Sequence, residues 1–167
     1  MRRSILSAAC CIAICSMPAP GQGKGMSDQQ FVDFAAQTDM VEANLGQLAQ
    51  SAASSQQIKD YGEMLVTDHT NDFHQLYTVA QQAGLKLPDA IDTEHNKTMI
   101  GPFQKLQGAA FDRRYSQEMV AGHTKAIDVY KKEAADAQNP ALKSYAEQAL
   151  PVLQKHLDDA KSLEKAK

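Results

Sequence analysis

Tryptophan is absent from this 167-residue chain, aromatic residues make up 6% of it, and Gly and Pro number only 9 and 6. Each shortage removes a class of protein. Too little Gly and Pro excludes collagen-like and low-complexity chains, and scarce aromatic and β-branched residues argue against pleated sheets, which draw on both. Cysteine is almost missing: the 3 present, Cys10, Cys11 and Cys15, all precede Ser16. A chain trimmed of that segment has no thiol for disulfides, for thiol catalysis or for Cys-ligated zinc. Glycine-rich phosphate loops, a nucleophile elbow and a His-Glu-x-x-His pair are missing too, so the common signatures of nucleotide, ester and zinc-protease chemistry do not occur. What remains is rich in Ala, Gln, Leu, Lys and Asp, a composition that favours helix.

The first residues read as a targeting leader. Met1-Arg2-Arg3 is a basic start, Ser4 to Met17 is uncharged and largely Ile, Leu, Ala and Cys, and Pro18-Ala19-Pro20-Gly21 is an exit of small residues and prolines. The apolar run is about 14 residues, short of the roughly 20 that span a bilayer. Residues 1–21 are therefore expected to be a signal peptide cleaved near Gly21 to Gly23, with 22–27 a linker and 28–165 a single domain exported to the periplasm. Lipid anchoring through Cys10 is the weaker alternative, because the apolar run before it is very short. Removing Arg2 and Arg3 from the 17 basic residues leaves 15 against 20 acidic ones, a net charge of −5. An acidic chain without a Lys/Arg cluster is a poor nucleic-acid binder.

Apolar spacing predicts four long amphipathic helices. The first spans about Ser27 to Ala53, opened by a Ser27/Gln30 capping box and striped by Phe31, Phe34, Thr38, Val41, Leu45, Leu48 and Ala52. The second starts at a Ser54/Gln57 capping box, carries Ile58, Tyr61, Leu65, His69, Asp72, Leu76, Val79 and Ala83, and stops at Gly84. Leu85 to Gly108 reads as a connection with a short helix near Thr93 to Ile100. The third helix covers about Ala109 to Ala137 with Phe111, Tyr115, Met119, His123, Ala126, Tyr130 and Ala134. The fourth begins at Asn139-Pro140 and carries Leu142, Tyr145, Ala149, Val152, His156, Ala160 and Leu163. Pro151 inside it is expected to kink or interrupt the ladder. Two antiparallel hairpins joined by a longer crossover make an all-α, up-down four-helix bundle.

Polar residues within these stripes are the functional clue. His69, Asp72, His123 and His156 fall on faces that the spacing buries, and burying ionisable groups is costly unless they pair or bind something. Glu42 and Glu118 stand one step off their stripes, and Asp68 adjoins His69. Imidazoles and carboxylates from facing helices are the ligand set for iron, manganese, copper or zinc, so Glu42, Asp68, His69, Asp72, Glu118, His123 and His156 are the candidate metal ligands. His74 and His95 are expected in solvent, and Tyr61, Tyr115, Tyr130 and Tyr145 in the core with their hydroxyls wet.

Three strings, Glu63-Met64-Leu65-Val66-Thr67-Asp68-His69-Thr70, Gly108-Ala109-Ala110-Phe111-Asp112-Arg113-Arg114-Tyr115 and Leu150-Pro151-Val152-Leu153-Gln154-Lys155-His156-Leu157, with Leu87-Pro88 between the first two, resemble exported bacterial proteins of the domain of unknown function 4142 (DUF4142) family. The resemblance runs over about Asp28 to Leu163 and implies a ferritin-like four-helix bundle in the cell envelope. It brings no mechanism. Di-iron bundles of related shape carry Glu-x-x-His pairs, whereas Val66, Val120 and Leu153 stand three residues before His69, His123 and His156. The expected function is thus non-catalytic binding of a ligand, metal ion or envelope protein partner. A redox-active metalloprotein and a structural or stress-protective protein are the alternatives.

Overall fold

The structure, a computed structural model, describes residues 25–166; the expected leader lies outside the described residues. Its elements are α1 (Asp28–Ala52), α2 (Gln56–Gln82), the single turn α3 (Thr93–His95), α4 (Gly108–Asp136) and α5 (Pro140–Lys165). A π turn (Asn96–Ile100) and a 3-10 turn (Gly101–Phe103) separate α3 from α4.

The helix boundaries follow local chemistry with one exception. Ser27 and Gln30 form the expected reciprocal cap of α1, Ser27 Oγ accepting from the Gln30 N–H at 3.3 Å and Gln30 Oε1 from the Ser27 N–H at 2.9 Å. Gly84, at φ +70°, closes α2, and the Leu85 N–H reaches the Ala80 carbonyl at 2.8 Å. Asn139 caps α5, with Pro140 in its first turn. The exception is the start of α2. The anticipated Ser54/Gln57 box does not form; Asp112 of α4 accepts from the backbone N–H groups of Ser54 and Ser55, both at 3.0 Å, and from the Ser54 hydroxyl. A tertiary carboxylate at the positive helix end does what a local side chain was expected to do. α5 continues through Pro151, whose ring nitrogen has no N–H to give to the Glu147 carbonyl.

The crossover sets the topology. Gln29 clamps Lys86, donating to its carbonyl at 2.7 Å and accepting from its N–H at 3.2 Å. Eight residues along α1, buried Gln37 donates to the Ala90 carbonyl and accepts from the Asp92 N–H, both at 3.0 Å. The chain after α2 therefore climbs back along α1. Ile100 and Phe103 then pack with Val41, Leu45, Phe111 and Tyr115 at the far end, where α4 begins. Thus α4 runs parallel to α2, α5 parallel to α1, and packed neighbours are antiparallel, which is the ferritin-like form of the bundle. Within the first hairpin the backbones nearly touch: a Cβ on Gly46 would lie 2.5 Å from the Gly62 carbonyl oxygen.

Apolar packing forms two clusters. One gathers Phe31, Leu76, Tyr130, Leu142 and Tyr145; the other gathers Leu45, Leu65, Phe111, Tyr115 and Met119. Three histidines fall between them, His69 between Leu65 and Leu76 on α2, His123 between Met119 and Ala126 on α4, and His156 between Leu153 and Ala160 on α5.

Candidate metal centre

Heptad-like spacing on three helices places His69 (α2), His123 (α4) and His156 (α5) at one level of the bundle, 3%, 1% and 1% exposed. One ring nitrogen from each lies within 4.8 Å of the others. The opposite nitrogens are held. His123 Nδ1 is 2.9 Å from the Met119 carbonyl oxygen, which can only accept, so Nδ1 carries the proton and Nε2 a lone pair. His69 Nδ1 is 2.9 Å from Asp39 Oδ1, and His156 Nε2 is 2.9 Å from Asp68 Oδ2. With both carboxylates accepting, His69 Nε2, His123 Nε2 and His156 Nδ1 all turn lone pairs inward. His123 Nε2 and His156 Nδ1 are then 3.3 Å apart, and His69 Nε2 is buried with no hydrogen-bond partner among the described residues.

Lone pairs facing one another without a proton repel, and a cation between them removes the conflict. The spacing suits one: an ion about 2 Å from three nitrogens in a plane holds them about 3.5 Å apart, close to the separation already present between His123 and His156. Carboxylate or carbonyl anchoring of the far nitrogen is how metal-ligating imidazoles are oriented. Burial keeps the rings neutral and ready to ligate. Desolvation, aided by the neighbouring His69 and opposed by the Met119 carbonyl, lowers His123 to about 3; desolvation also lowers His69 and His156, against the pull of nearby carboxylates.

The carboxylates divide into unlike roles. Asp39, not anticipated from the sequence, is 2% exposed, its carboxyl raised by burial and then by Asp72, and its Oδ2 has no partner among the described residues. The sequence held its signal: Phe31, Ala35, Asp39, Glu42 and Ala49 form a 3,4 stripe, one residue out of step with the stripe drawn through Phe34, Thr38 and Leu48. Glu42, expected at a margin, is 5% exposed, because this rotated face is the one buried. Burial pushes Glu42 up to about 7, with His69 opposing the rise and Glu118 and Asp39 adding to it. Its Oε2 is unpartnered, and its Oε1 sits where a Cβ on Gly122, next to His123, would come within 3.1 Å.

Asp68 stays partly exposed, at the outer side of His156. Asp72 is half-buried rather than buried, accepting from the Tyr145 hydroxyl at 2.6 Å. Glu118 is half-buried and faces Arg114 at 3.6 Å. The tyrosine hydroxyls differ from expectation: Tyr61 donates to the His156 carbonyl at 3.1 Å, Tyr130 and Tyr145 meet at 3.3 Å, and Tyr115 OH is buried without a partner among the described residues. His74 and His95 are on the surface, His95 beside Asp92. A groove of about 550 Å3 between α2 and α5 is lined by Asp68, His69, Asp72, Pro151, Val152 and His156, with His123 behind them.

Residues 15–163 match the family described as "Domain of unknown function (DUF4142)". The chain belongs to the DUF4142 family. Among solved structures, this DUF4142 chain resembles CopM in the Cu(II)-bound form at 14% identity and TM-score 0.64, over 86% of this chain and 99% of that one. CopM in the Ag-bound form aligns at 15% identity and TM-score 0.65, over 84% and 97%. CopM in the Cu(I)-bound form aligns at 14% identity and TM-score 0.65 over the same shares. At these identities the likeness establishes the all-helical fold of the DUF4142 chain. No curated protein sequence matches it. Among its described residues, no helix is long and apolar enough to cross a membrane.

Proposed function

We propose that this protein is a non-catalytic binder of a transition-metal ion, copper in the first place, held by His69 Nε2, His123 Nε2 and His156 Nδ1. The observation that carries the reading is the convergence of three buried lone pairs, each fixed by a hydrogen bond on the far side of its ring. Imidazole suits copper, zinc, nickel and iron, and divalent copper heads the affinity order for such ligands. CopM, of similar fold, has copper- and silver-bound structures, which supports testing copper ahead of zinc. Asp39 and Asp68 stand 2.9 Å behind two of the rings and orient them toward a shared ion.

Binding fits better than turnover. A di-iron oxidase needs Glu-x-x-His pairs that the chain lacks, and Glu118 faces Arg114. The leader read in the sequence supports a periplasmic setting for this binding.

The test is elemental analysis of residues 22–167 purified untagged without chelators, then loaded with copper, zinc, iron or manganese and desalted. Close to one copper per chain is expected, lost in His123→Gln with the helical circular dichroism retained. No retained metal in the wild-type chain, or equal retention in His123→Gln, overturns the reading. Should His123→Gln fail to fold, His69→Gln serves the same comparison.

A further inference from the structure

The three inward nitrogens form a closed set. Among the described residues, no further His, Asp or Glu atom joins them within 4.8 Å. Asp39 and Asp68 stand at the outer edges of His69 and His156, each 2.9 Å from the nitrogen that faces away from the centre. Along the bundle the neighbours are apolar: Leu65, Met119 and Ala160 follow on one side of the rings, and Leu76, Ala126 and Leu153 on the other. Solvent barely reaches this layer, since His69 Nε2 is buried and none of the three rings is more than 3% exposed.

Resting on the copper reading above, we propose that this centre selects a monovalent ion, Cu(I) and its analogue Ag(I), over Cu(II) and Zn(II). The first reason is coordination number. Zn(II) takes four ligands in a tetrahedron, and Cu(II) a tetragonal set of N and O donors. Cu(I), with a filled d shell and a single charge, is satisfied by three donors in a plane. The second reason is charge. The Born cost of leaving water rises with the square of the charge, so a divalent ion costs about four times as much as a monovalent one of equal size. Three imidazoles kept neutral by burial bring no negative charge to offset that cost. The affinity order that puts copper first ranks divalent ions among themselves; it does not choose between the oxidation states of copper, and geometry does.

The test titrates residues 22–167 with Cu(I) under nitrogen in ascorbate, and with Cu(II) or Zn(II) without it. Competition against a chelator chromogenic for each ion gives the affinities, with His123→Gln measured alongside. One Cu(I) per chain is expected, lost in His123→Gln with the helical circular dichroism retained, while Cu(II) and Zn(II) pass to the chelator. Should His123→Gln fail to fold, His69→Gln takes its place. X-ray absorption at the copper edge of the Cu(I)-loaded chain is expected to show three ligands. Cu(II) or Zn(II) held as tightly as Cu(I) through the same histidines, or a fourth ligand in the absorption spectrum, overturns the selectivity and leaves metal binding standing. No ion retained in any form overturns both.

Discussion

Asp39 Oδ1 on α1 and His69 Nδ1 on α2 lie 2.9 Å apart in the bundle interior, both nearly inaccessible to water. A carboxylate in that position fixes the ring so that Nε2 faces His123 and His156, and raises its basicity as a ligand. Asp39→Asn keeps the shape and replaces the carboxyl group with an amide. Its copper affinity is expected to fall about 10- to 100-fold, with the helical content unchanged. Competition against a chromogenic chelator measures it; wild-type affinity in the variant assigns Asp39 a packing role only.

The groove between α2 and α5 touches His69 and His156 and leaves His123 behind them, so an ion reaches the third nitrogen past the first two. Val152, 44% exposed on the groove wall, can be enlarged without entering the core. Val152→Trp is expected to slow copper uptake about tenfold or more, equivalent to about 1.4 kcal/mol on the barrier, and to slow release equally. Stopped-flow mixing reads both rates. Unchanged rates place the route elsewhere.

Glu42 gives the metal-free protein a pH dependence. Its carboxyl is raised from an ordinary 4.5 to about 7 by burial, with His69 opposing and Glu118 and Asp39 adding. A raised folded-state value means that the neutral form fits the fold. Its contribution is complete below about pH 4.5 and is lost as pH rises through about 7, up to about 3 kcal/mol by linkage. Glu42→Gln stays neutral throughout. Urea titrations of metal-free chains should show Glu42→Gln more stable than wild type at pH 8, the gap narrowing toward pH 5. A gap independent of pH contradicts the assignment.

Gly46 and Gly62 let α1 and α2 meet backbone to backbone. A Cβ on Gly62 would stand 2.8 Å from the Gly46 carbonyl oxygen and 2.9 Å from the Ala49 Cβ, with no flexible side chain able to yield. Gly62→Ala gains helix propensity of about 1 kcal/mol but forces the hairpin apart. A net loss of about 1–3 kcal/mol is expected from overpacking. Thermal unfolding decides the sign, and a stabilised Gly62→Ala would show that the hairpin spreads at little cost.

The helices were legible because their signals are local. The Ser27/Gln30 box, Gly84 and Asn139-Pro140 act within one turn of chain, and Leu, Phe and Tyr recur with the helix period. Alanine blurred the picture on α1. It marks a buried face weakly, so the stripe through Ala35, Asp39, Glu42 and Ala49 lost to a neighbouring one containing Phe34 and Leu48, and Asp39 was passed over. The α2 cap was mistaken because Asp112, its acceptor, stands 57 and 58 residues along the chain from Ser55 and Ser54.

The sequence by itself determined four amphipathic helices, the hairpin pairing and the burial of His69, His123 and His156, since helix periodicity fixes which residues share a face. Only the tertiary structure decided which nitrogens of those rings look inward and which carboxylates stand behind them. Those relations depend on the rotation of each helix about its own axis and on the crossover that Gln29 and Gln37 clamp along α1. Both are set by packing between residues distant in the chain, where local propensity has no influence.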